Sequence, residues 1–151
     1  MASEVRVGII MGSKSDAAVM AKGDGILDDL GIAFESVVSS AHRNPERTAG
    51  WARDAAGRGL QVLIAGAGLS AALPGVVAAH STLPVIGVPI ASGTLNGVDA
   101  LYSIVQMPPG IPVATVGIDN ARNAALLAAA ILALQDSKIK AALEAYREQW
   151  N

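Results

Sequence analysis

A histidine and an arginine stand side by side in segment 40–45, which reads SAHRNP and follows an apolar run. Imidazole exchanges protons near neutral pH, and a guanidinium group binds phosphate or carboxylate through paired hydrogen bonds. His42 is one of two histidines in the chain, and Arg43 follows it directly. The pair predicts a site that moves a proton on an anionic ligand. A surface histidine at a helix start is the simpler interpretation, and this segment alone leaves it open.

A second polar segment, GSKSD at 12–16, follows the first apolar run. Gly12 permits a sharp turn, and the hydroxyls of Ser13 and Ser15 can face one point together with backbone N–H groups. A helix that starts there adds its partial positive charge, so the corner suits a phosphate. Asp16 would repel phosphate but could accept hydrogen bonds from ribose hydroxyls. The same residues also fit an ordinary helix start capped by Ser15 or Asp16.

A third segment, GAGLSAALPG at 66–75, follows an apolar run that contains no charged residue. Its glycines permit backbone contact with a ligand, or they serve only a tight turn. The glycine spacing is not that of the dinucleotide fingerprint. The chain also lacks a Walker loop, a nucleophile elbow and the residue spacing of a zinc site. His80, inside the next helical segment, is interpreted as a structural residue.

Five apolar runs, each of which fits a strand, must position these segments. They lie at 5–11, 33–39, 60–65, 84–88 and 112–117. Helical segments are expected at 16–30, 45–58, 74–80, 95–105 and 121–135, with Asn44 capping a helix that Pro45 begins. This alternation predicts a parallel sheet with right-handed crossovers. The second run partly alternates, as an edge strand does, which favours the order 2-1-3-4-5. All three polar segments then lie at the carboxyl edge, where such sheets bind ligands.

Two helices raise a question of packing. Helix 121–135 has large apolar residues at helical spacing, and the predicted buried face is Leu126, Leu127, Ala130, Ile131 and Leu134. The extra C-terminal helix, 137–149, follows a completed sheet, so we expect it to pack on another subunit. Gly23 and Gly25 weaken the first helix, and close packing is one explanation for them.

Composition excludes several classes of protein. Apolar residues make up 52% of the chain, aromatic residues only 3%, and the net charge is −2. The chain has no basic run, so a nucleic-acid partner is not expected. It also has no apolar run long enough to span a membrane. Because cysteine and a signal peptide are both lacking, we expect a cytoplasmic protein.

Six motifs together resemble the PurE family, and they are collinear over residues 5–135 of a single predicted domain, 1–151. The motifs are GSxSD at 12–16, SAHRxP at 40–45, AGAG at 65–68, LPG at 73–75, PVIGVP at 84–89 and SIVQMP at 103–108. The last two are similar to the bacterial-type mutase rather than to the animal-type carboxylase. The resemblance implies a flavodoxin-like three-layer αβα sandwich and a homo-octamer with active sites at subunit junctions.

The resemblance also implies an activity in purine biosynthesis. This is the conversion of 5-(carboxyamino)imidazole ribonucleotide to the carbon-4 carboxylate, through CO2 that is released and trapped, without metal or organic cofactor. His42 would be the general acid and base, Arg43 and Ser40 would anchor the 5′-phosphate, and Asp16 would hold the ribose. The full set of predicted substrate-binding residues is Gly12, Ser13, Ser15, Asp16, Ser40, Ala41, Arg43, Ala67, Gly68 and Leu73.

One departure from the family pattern bears on activity. The third loop of the bacterial type reads GGAAHLPG, whereas residues 68–75 read GLSAALPG, so the second family histidine aligns with Ala72. His80 lies about two helical turns further on and is not expected to replace it. The alternatives to a mutase are therefore a direct aminoimidazole ribonucleotide carboxylase and a low-activity or non-catalytic ribonucleotide-binding homologue.

Overall fold

Five parallel strands form one sheet in the computed structural model, which describes residues 4–151. The strand order is β2-β1-β3-β4-β5, as the sequence predicts. The strands are β1 Val7–Met11, β2 Phe34–Val38, β3 Val62–Gly68, β4 Val85–Ile90 and β5 Ala114–Thr115. β1 and β4 are buried throughout, whereas β2 is only partly buried because it lies at the edge.

Six α-helices connect and extend the strands within this part of the chain. They are α1 Ala17–Asp29, α2 Pro45–Asp54, α3 Leu73–His80, α4 Val98–Val105, α5 Ala121–Ala133 and α6 Ser137–Arg147. Short 3-10 turns precede α1 at Lys14–Asp16, follow α2 at Ala56–Arg58 and end the chain at Glu148–Trp150. The side chain of Asn44 caps α2 by accepting a hydrogen bond from the Arg47 N–H, as predicted.

The sheet has an apolar core on each face, which makes the fold a three-layer sandwich. On one face, Ile9 and Ile64 pack with residues of α1 and α5. On the other face, Ile10 and Leu63 pack with residues of α2, α3 and α4. The flavodoxin-like α/β architecture expected from the sequence is therefore confirmed.

The buried face of α5 is only partly the one that the large side chains predict, because Leu126 and Ile131 pack against the core but are not fully buried. Leu127 is exposed, Leu134 is 80% exposed, and the buried residues are mostly alanines: Ala121, Ala124, Ala125, Ala128, Ala129 and Leu132. Small side chains allow α5 to approach α1 closely. A Cβ at Gly23 of α1 would lie 2.8 Å from the carbonyl oxygen of Ala121, which explains the glycine by close packing.

The C-terminal helix α6 packs on α5 of its own chain. Ile139 is buried there, and Leu143 and Tyr146 contact the same core. Asp136 caps α6 and accepts a hydrogen bond of 2.7 Å from Arg6, next to β1. Trp150 stays largely exposed beyond the helix. Contact of this helix with another subunit remains a prediction.

Several elements begin or end away from their predicted bounds. β3 runs from Val62 to Gly68 rather than over 60–65, and α2 ends at Asp54 rather than at 58, with a 3-10 turn after it. β5 has two residues instead of the six expected at 112–117. Helix α4 begins at Val98 rather than at 95, because Gly93, Asn96 and Gly97 take positive φ angles and form turns. No helix within residues 4–151 is both long and apolar enough to cross a membrane.

Candidate active site

The three polar segments meet at the carboxyl edge of the sheet. Met11, the last residue of β1, pairs with Val38 at the end of β2 and with Gly66 in β3, so the loops that follow start at similar heights. They enclose a cavity of about 470 Å³. Every residue that the sequence predicts for the site lines this cavity: Gly12, Ser13, Ser15, Asp16, Ser40, Ala41, His42, Arg43, Ala67, Gly68 and Leu73.

Four further residues, Leu69, Ser70, Ala72 and Ser92, also line the cavity. Leu69, Ser70 and Ala72 lie in the third polar segment, where the sequence predicted Ala67, Gly68 and Leu73 as binding residues. Ser92 comes two residues after the end of β4. Its position beyond a strand next to β3 is the signal that could have identified it, because such ends share the ligand-binding edge.

The first loop folds into a capped turn. The hydroxyl oxygen of Ser13 accepts hydrogen bonds from the N–H of Ser15 at 3.3 Å and from the Ser15 hydroxyl at 3.0 Å. In return, the Asp16 Oδ2 accepts a hydrogen bond of 3.1 Å from the Ser13 N–H. Ser13 is therefore the cap of the 3-10 turn, whereas Asp16, which the sequence offered together with Ser15, occupies the N-cap position of α1 without a capping hydrogen bond to its side chain. The capped turn still leaves both serines on the wall of the cavity.

The Asp16 carboxyl group is the buried charge of this site. The residue is only 7% exposed, and burial raises the pKa of its carboxyl group above the ordinary value. The hydrogen bond from Ser13 and the positive charge of Arg43 act in the opposite direction but do not cancel the effect of burial on the pKa. A carboxylate that has lost water gains from a donor on a bound ligand, such as a ribose hydroxyl.

A buried hydroxyl chain holds the second loop. Thr48 of α2 is fully buried and donates its hydroxyl hydrogen to the carbonyl oxygen of Asn44 at 3.0 Å. The Ser39 hydroxyl lies 2.8 Å from the Thr48 hydroxyl and must therefore donate to it. The Ser39 N–H also donates to the carbonyl oxygen of Met11. These bonds attach both ends of the loop to the sheet and to α2.

His42 and Arg43 bond to the other two loops. Nε2 of His42 lies 2.9 Å from the carbonyl oxygen of Ser70, in the third loop. Nη2 of Arg43 donates to the carbonyl oxygen of Gly12, in the first loop, at 3.2 Å. Both side chains remain exposed along the cavity wall. A proton-transfer group and a permanent cation thus face one cavity, with serine hydroxyls and a buried carboxyl group around them.

The third loop takes an uncommon backbone conformation. Leu69 has a φ of 55°, in the left-handed region that favours glycine. Gly68 lies so close to β4 that a Cβ there would be 3.1 Å from the carbonyl oxygen of Ile90. Ala72 lies on the cavity wall at the N-cap position of α3, but its methyl group offers no hydrogen bond.

The second histidine lies elsewhere. His80 lines a larger cavity, of about 940 Å³, near the amino ends of β4 and β5, together with Arg53 and Pro84. Its Nδ1 lies 2.9 Å from the carbonyl oxygen of Val76, one turn earlier in α3. His80 therefore does not occupy the place of a histidine at position 72. Within residues 4–151, no cluster of three or more histidine, aspartate or glutamate residues could hold a metal ion.

The chain is similar to known proteins over nearly its whole length. The model of the family described as AIR carboxylase matches residues 6–151. The N5-carboxyaminoimidazole ribonucleotide mutase of Pyrococcus abyssi is 59% identical over 143 residues, which are 95% of this chain and 82% of that protein. The phosphoribosylaminoimidazole carboxylase of Schizosaccharomyces pombe is 54% identical over 94% of this chain, but the match covers only 26% of that longer protein.

A solved structure agrees with the sequence comparison. The crystal structure of Treponema denticola PurE superposes with a TM-score of 0.85 at 35% identity, covering 95% of this chain and 89% of that one. The fold, the strand order and the sequence similarity over residues 6–151 thus point the same way. The resemblance to PurE is confirmed, and the chain belongs to the AIR carboxylase family.

Proposed function

We propose that this protein is an N5-carboxyaminoimidazole ribonucleotide mutase. It converts 5-(carboxyamino)imidazole ribonucleotide to 5-amino-1-(5-phosphoribosyl)imidazole-4-carboxylate. The observation that carries the proposal is the convergence of His42, Arg43 and the serine loop on one cavity, in a chain 59% identical to the mutase of Pyrococcus abyssi. The assignment rests on this site and not on the fold, because flavodoxin-like sheets serve many functions.

The cavity has separate groups for each part of the ribonucleotide. Arg43 and the hydroxyl of Ser40 bind the 5′-phosphate, helped by the N–H groups and hydroxyls of the loop that begins at Gly12. Asp16 accepts hydrogen bonds from the ribose hydroxyls. The backbone of Ala67 and Gly68 and the side chain of Ser13 surround the carboxyl group that moves. All of these residues line the cavity of about 470 Å³.

His42 supplies the proton transfers of the reaction. The bond between the exocyclic nitrogen and its carboxylate breaks, CO2 leaves, and the nitrogen gains a proton from the imidazolium form of His42. Ring carbon 4 then attacks the trapped CO2 with its π electrons. The imidazole removes the proton from carbon 4, which restores the aromatic ring and the imidazolium. Holding CO2 in place makes the second step effectively intramolecular.

The alanine at position 72 affects the expected turnover rate, and two alternative functions follow from it and from the comparisons. A direct aminoimidazole ribonucleotide carboxylase is one, and the similarity to the Schizosaccharomyces pombe carboxylase favours it. A ribonucleotide-binding homologue with little or no turnover is the other, because a methyl group cannot donate a hydrogen bond to a carboxylate. We favour the mutase, since His42 remains and its imidazole faces the cavity.

The test is a turnover assay with the carboxyamino-ribonucleotide, without ATP, biotin or added bicarbonate. We expect conversion by the unmodified chain and a loss of more than about 100-fold in His42→Asn. His80→Asn is the matched control, because His80 lies outside the cavity, and its turnover should be kept. Ala72→His should raise turnover by restoring a donor.

Two outcomes would count against the mutase, and a third would count against the role of His42. Dependence on CO2 with aminoimidazole ribonucleotide, and no use of the carboxyamino compound, would identify a carboxylase. Binding without turnover at high protein concentration would identify a non-catalytic homologue. Equal turnover in the His42 and His80 variants would refute the role of His42.

We also propose that the chain works as a homo-octamer in the cytoplasm, as a single domain. The exposed apolar side chains on and before α4 support assembly: Leu95 is 60% exposed and Tyr102 63% exposed, with Val98 and Val105 beside them. Clustered apolar surface of this kind is typical of interfaces. Sedimentation at micromolar concentration tests the proposal, and a monomer would refute it.

A further inference from the structure

The bond between His42 and Ser70 identifies which nitrogen carries hydrogen. A carbonyl oxygen can only accept a hydrogen bond, so Nε2 of His42, 2.9 Å from the Ser70 oxygen, must be protonated. In a neutral imidazole the lone pair is then on Nδ1. Nδ1 of His42 makes no hydrogen bond with any residue in the range 4–151.

We propose that the Ser70 carbonyl group holds His42 in the Nε2–H tautomer, so that Nδ1 is the nitrogen that exchanges protons with the substrate. We propose further that Leu69 is the positioning residue that keeps this carbonyl group in place. The role of Nδ1 in turnover rests on the proposed function, whereas the tautomer and its control by Leu69 do not.

The backbone around Ser70 is suited to this task. Its carbonyl oxygen also accepts a hydrogen bond of 2.9 Å from the N–H of Ala72, so both lone pairs have donors. The left-handed φ of 55° at Leu69 sets the direction in which the chain enters Ser70. Leucine occupies this region only when the surroundings enforce it, and such backbone strain is concentrated at functional sites. The Leu69 side chain is 53% exposed, so its burial alone does not explain the conformation.

The assignment leads to a defined course for each proton. Nδ1 accepts the proton from ring carbon 4, while Nε2–H stays bonded to the Ser70 oxygen. The imidazolium then returns a proton from Nδ1 to the exocyclic nitrogen in the next turnover. Because a hydrogen bond from a charged donor is stronger, the ring keeps its orientation in both protonation states.

Nitrogen-15 NMR of histidine-labelled protein, without ligand and at a pH where both rings are neutral, tests the tautomer. The chain contains its own comparison, because Nδ1 of His80 lies 2.9 Å from the Val76 carbonyl oxygen and must carry the hydrogen. We expect one ring protonated at Nε2 and one at Nδ1, with the His80→Gln variant assigning the signals. A His42 signal with hydrogen on Nδ1 would overturn the proposal, whether or not the protein turns over substrate.

Two variants at position 69 separate the backbone from the side chain. Leu69→Gly removes the side chain but readily takes a positive φ, whereas Leu69→Val disfavours it because the side chain is β-branched. We expect Leu69→Gly to keep the Nε2–H signal of His42 and Leu69→Val to mix the two tautomers. If turnover is measured, kcat of the valine variant should be roughly tenfold below that of the glycine variant, with a smaller change in KM.

Other results would contradict the positioning role. A pure Nε2–H signal in Leu69→Val, with circular dichroism like that of the glycine variant, would show that Leu69 does not hold the carbonyl group. Loss of the signal in both variants would assign the effect to the leucine side chain instead. Absence of turnover in every protein would refute the proposed function and leave the NMR result to decide the tautomer.

Discussion

Alanine at position 23 should destabilise the protein, although alanine is the better helix former. Gly23 lies inside α1, where an added Cβ would be 2.8 Å from the carbonyl oxygen of Ala121 and 3.5 Å from its Cβ. The oxygen belongs to the backbone at the first residue of α5, so it cannot rotate away. The two helices would have to shift apart to accept the methyl group, because a Cβ atom is essentially never found within 3.0 Å of such an oxygen.

The magnitude follows from two opposing effects. Alanine in place of glycine in a helix interior contributes about 1 kcal/mol. Overpacking a tight contact costs about 1–3 kcal/mol, and a rigid backbone partner favours the upper part of that range. We therefore expect Gly23→Ala to lower the free energy of unfolding by about 1–2 kcal/mol. Gly25→Ala, on the same helix and with nothing within 4 Å of the added Cβ, should raise it by up to about 1 kcal/mol.

Urea unfolding followed by far-ultraviolet circular dichroism measures the difference between the two variants. Both must be compared at one protein concentration, because the proposed oligomerisation would make apparent stability depend on it. A Gly23→Ala protein that gains stability as the Gly25→Ala protein does would refute the contact between α1 and α5. An equal loss of stability in both would instead show that glycine is needed throughout α1.

Two further predictions concern the site loops. Because burial raises the pKa of the Asp16 carboxyl group, the stability this group contributes is present below its ordinary pKa and is lost as the pH rises through the raised value. Asp16→Asn should therefore be more stable than the unmodified protein at neutral pH but not in acid. It should also bind the ribonucleotide less tightly. Urea unfolding measures the stability, and a gain that persists in acid would contradict this expectation. Thr48→Val should lose about 1–3 kcal/mol, since it leaves the Ser39 hydroxyl buried without an acceptor. Adding Ser39→Ala should recover part of that loss, and thermal unfolding that shows no recovery would show that the unpaired Ser39 hydroxyl is not its cause.

The strand order could be predicted because its signals are local. Each strand is a short apolar run between polar segments, and the partial alternation of the second run marks an edge. The helix cap at Asn44 was equally predictable, because a capping amide before Pro45 acts within one turn. Since parallel strands end at one edge of a sheet, the strand order also placed the polar loops beside one another.

The buried face of α5 could be read only in part from its side chains. Of the residues that hydrophobic spacing predicted, Leu126 and Ile131 pack against the core, but Leu127 and Leu134 are exposed. How close a helix lies to its neighbour depends on the partner, here Gly23 of α1. Alanine side chains permit two helices to pack closely. The sequence of α5 does not indicate how close α1 lies, so it does not predict that the alanine face is the buried one.

The sequence alone determined which chemical groups form the site and that they meet at one edge of the sheet. Strand order and loop composition are sufficient to predict both. The hydrogen-bond partners of His42 and Arg43 were decided only by the tertiary structure. The carbonyl oxygens of Ser70 and Gly12 belong to the backbone, which is chemically the same at every residue. Their directions depend on the φ and ψ angles of loops that are distant in the sequence. The positive φ of Leu69 is an example, because the identity of a leucine side chain does not predict a left-handed backbone.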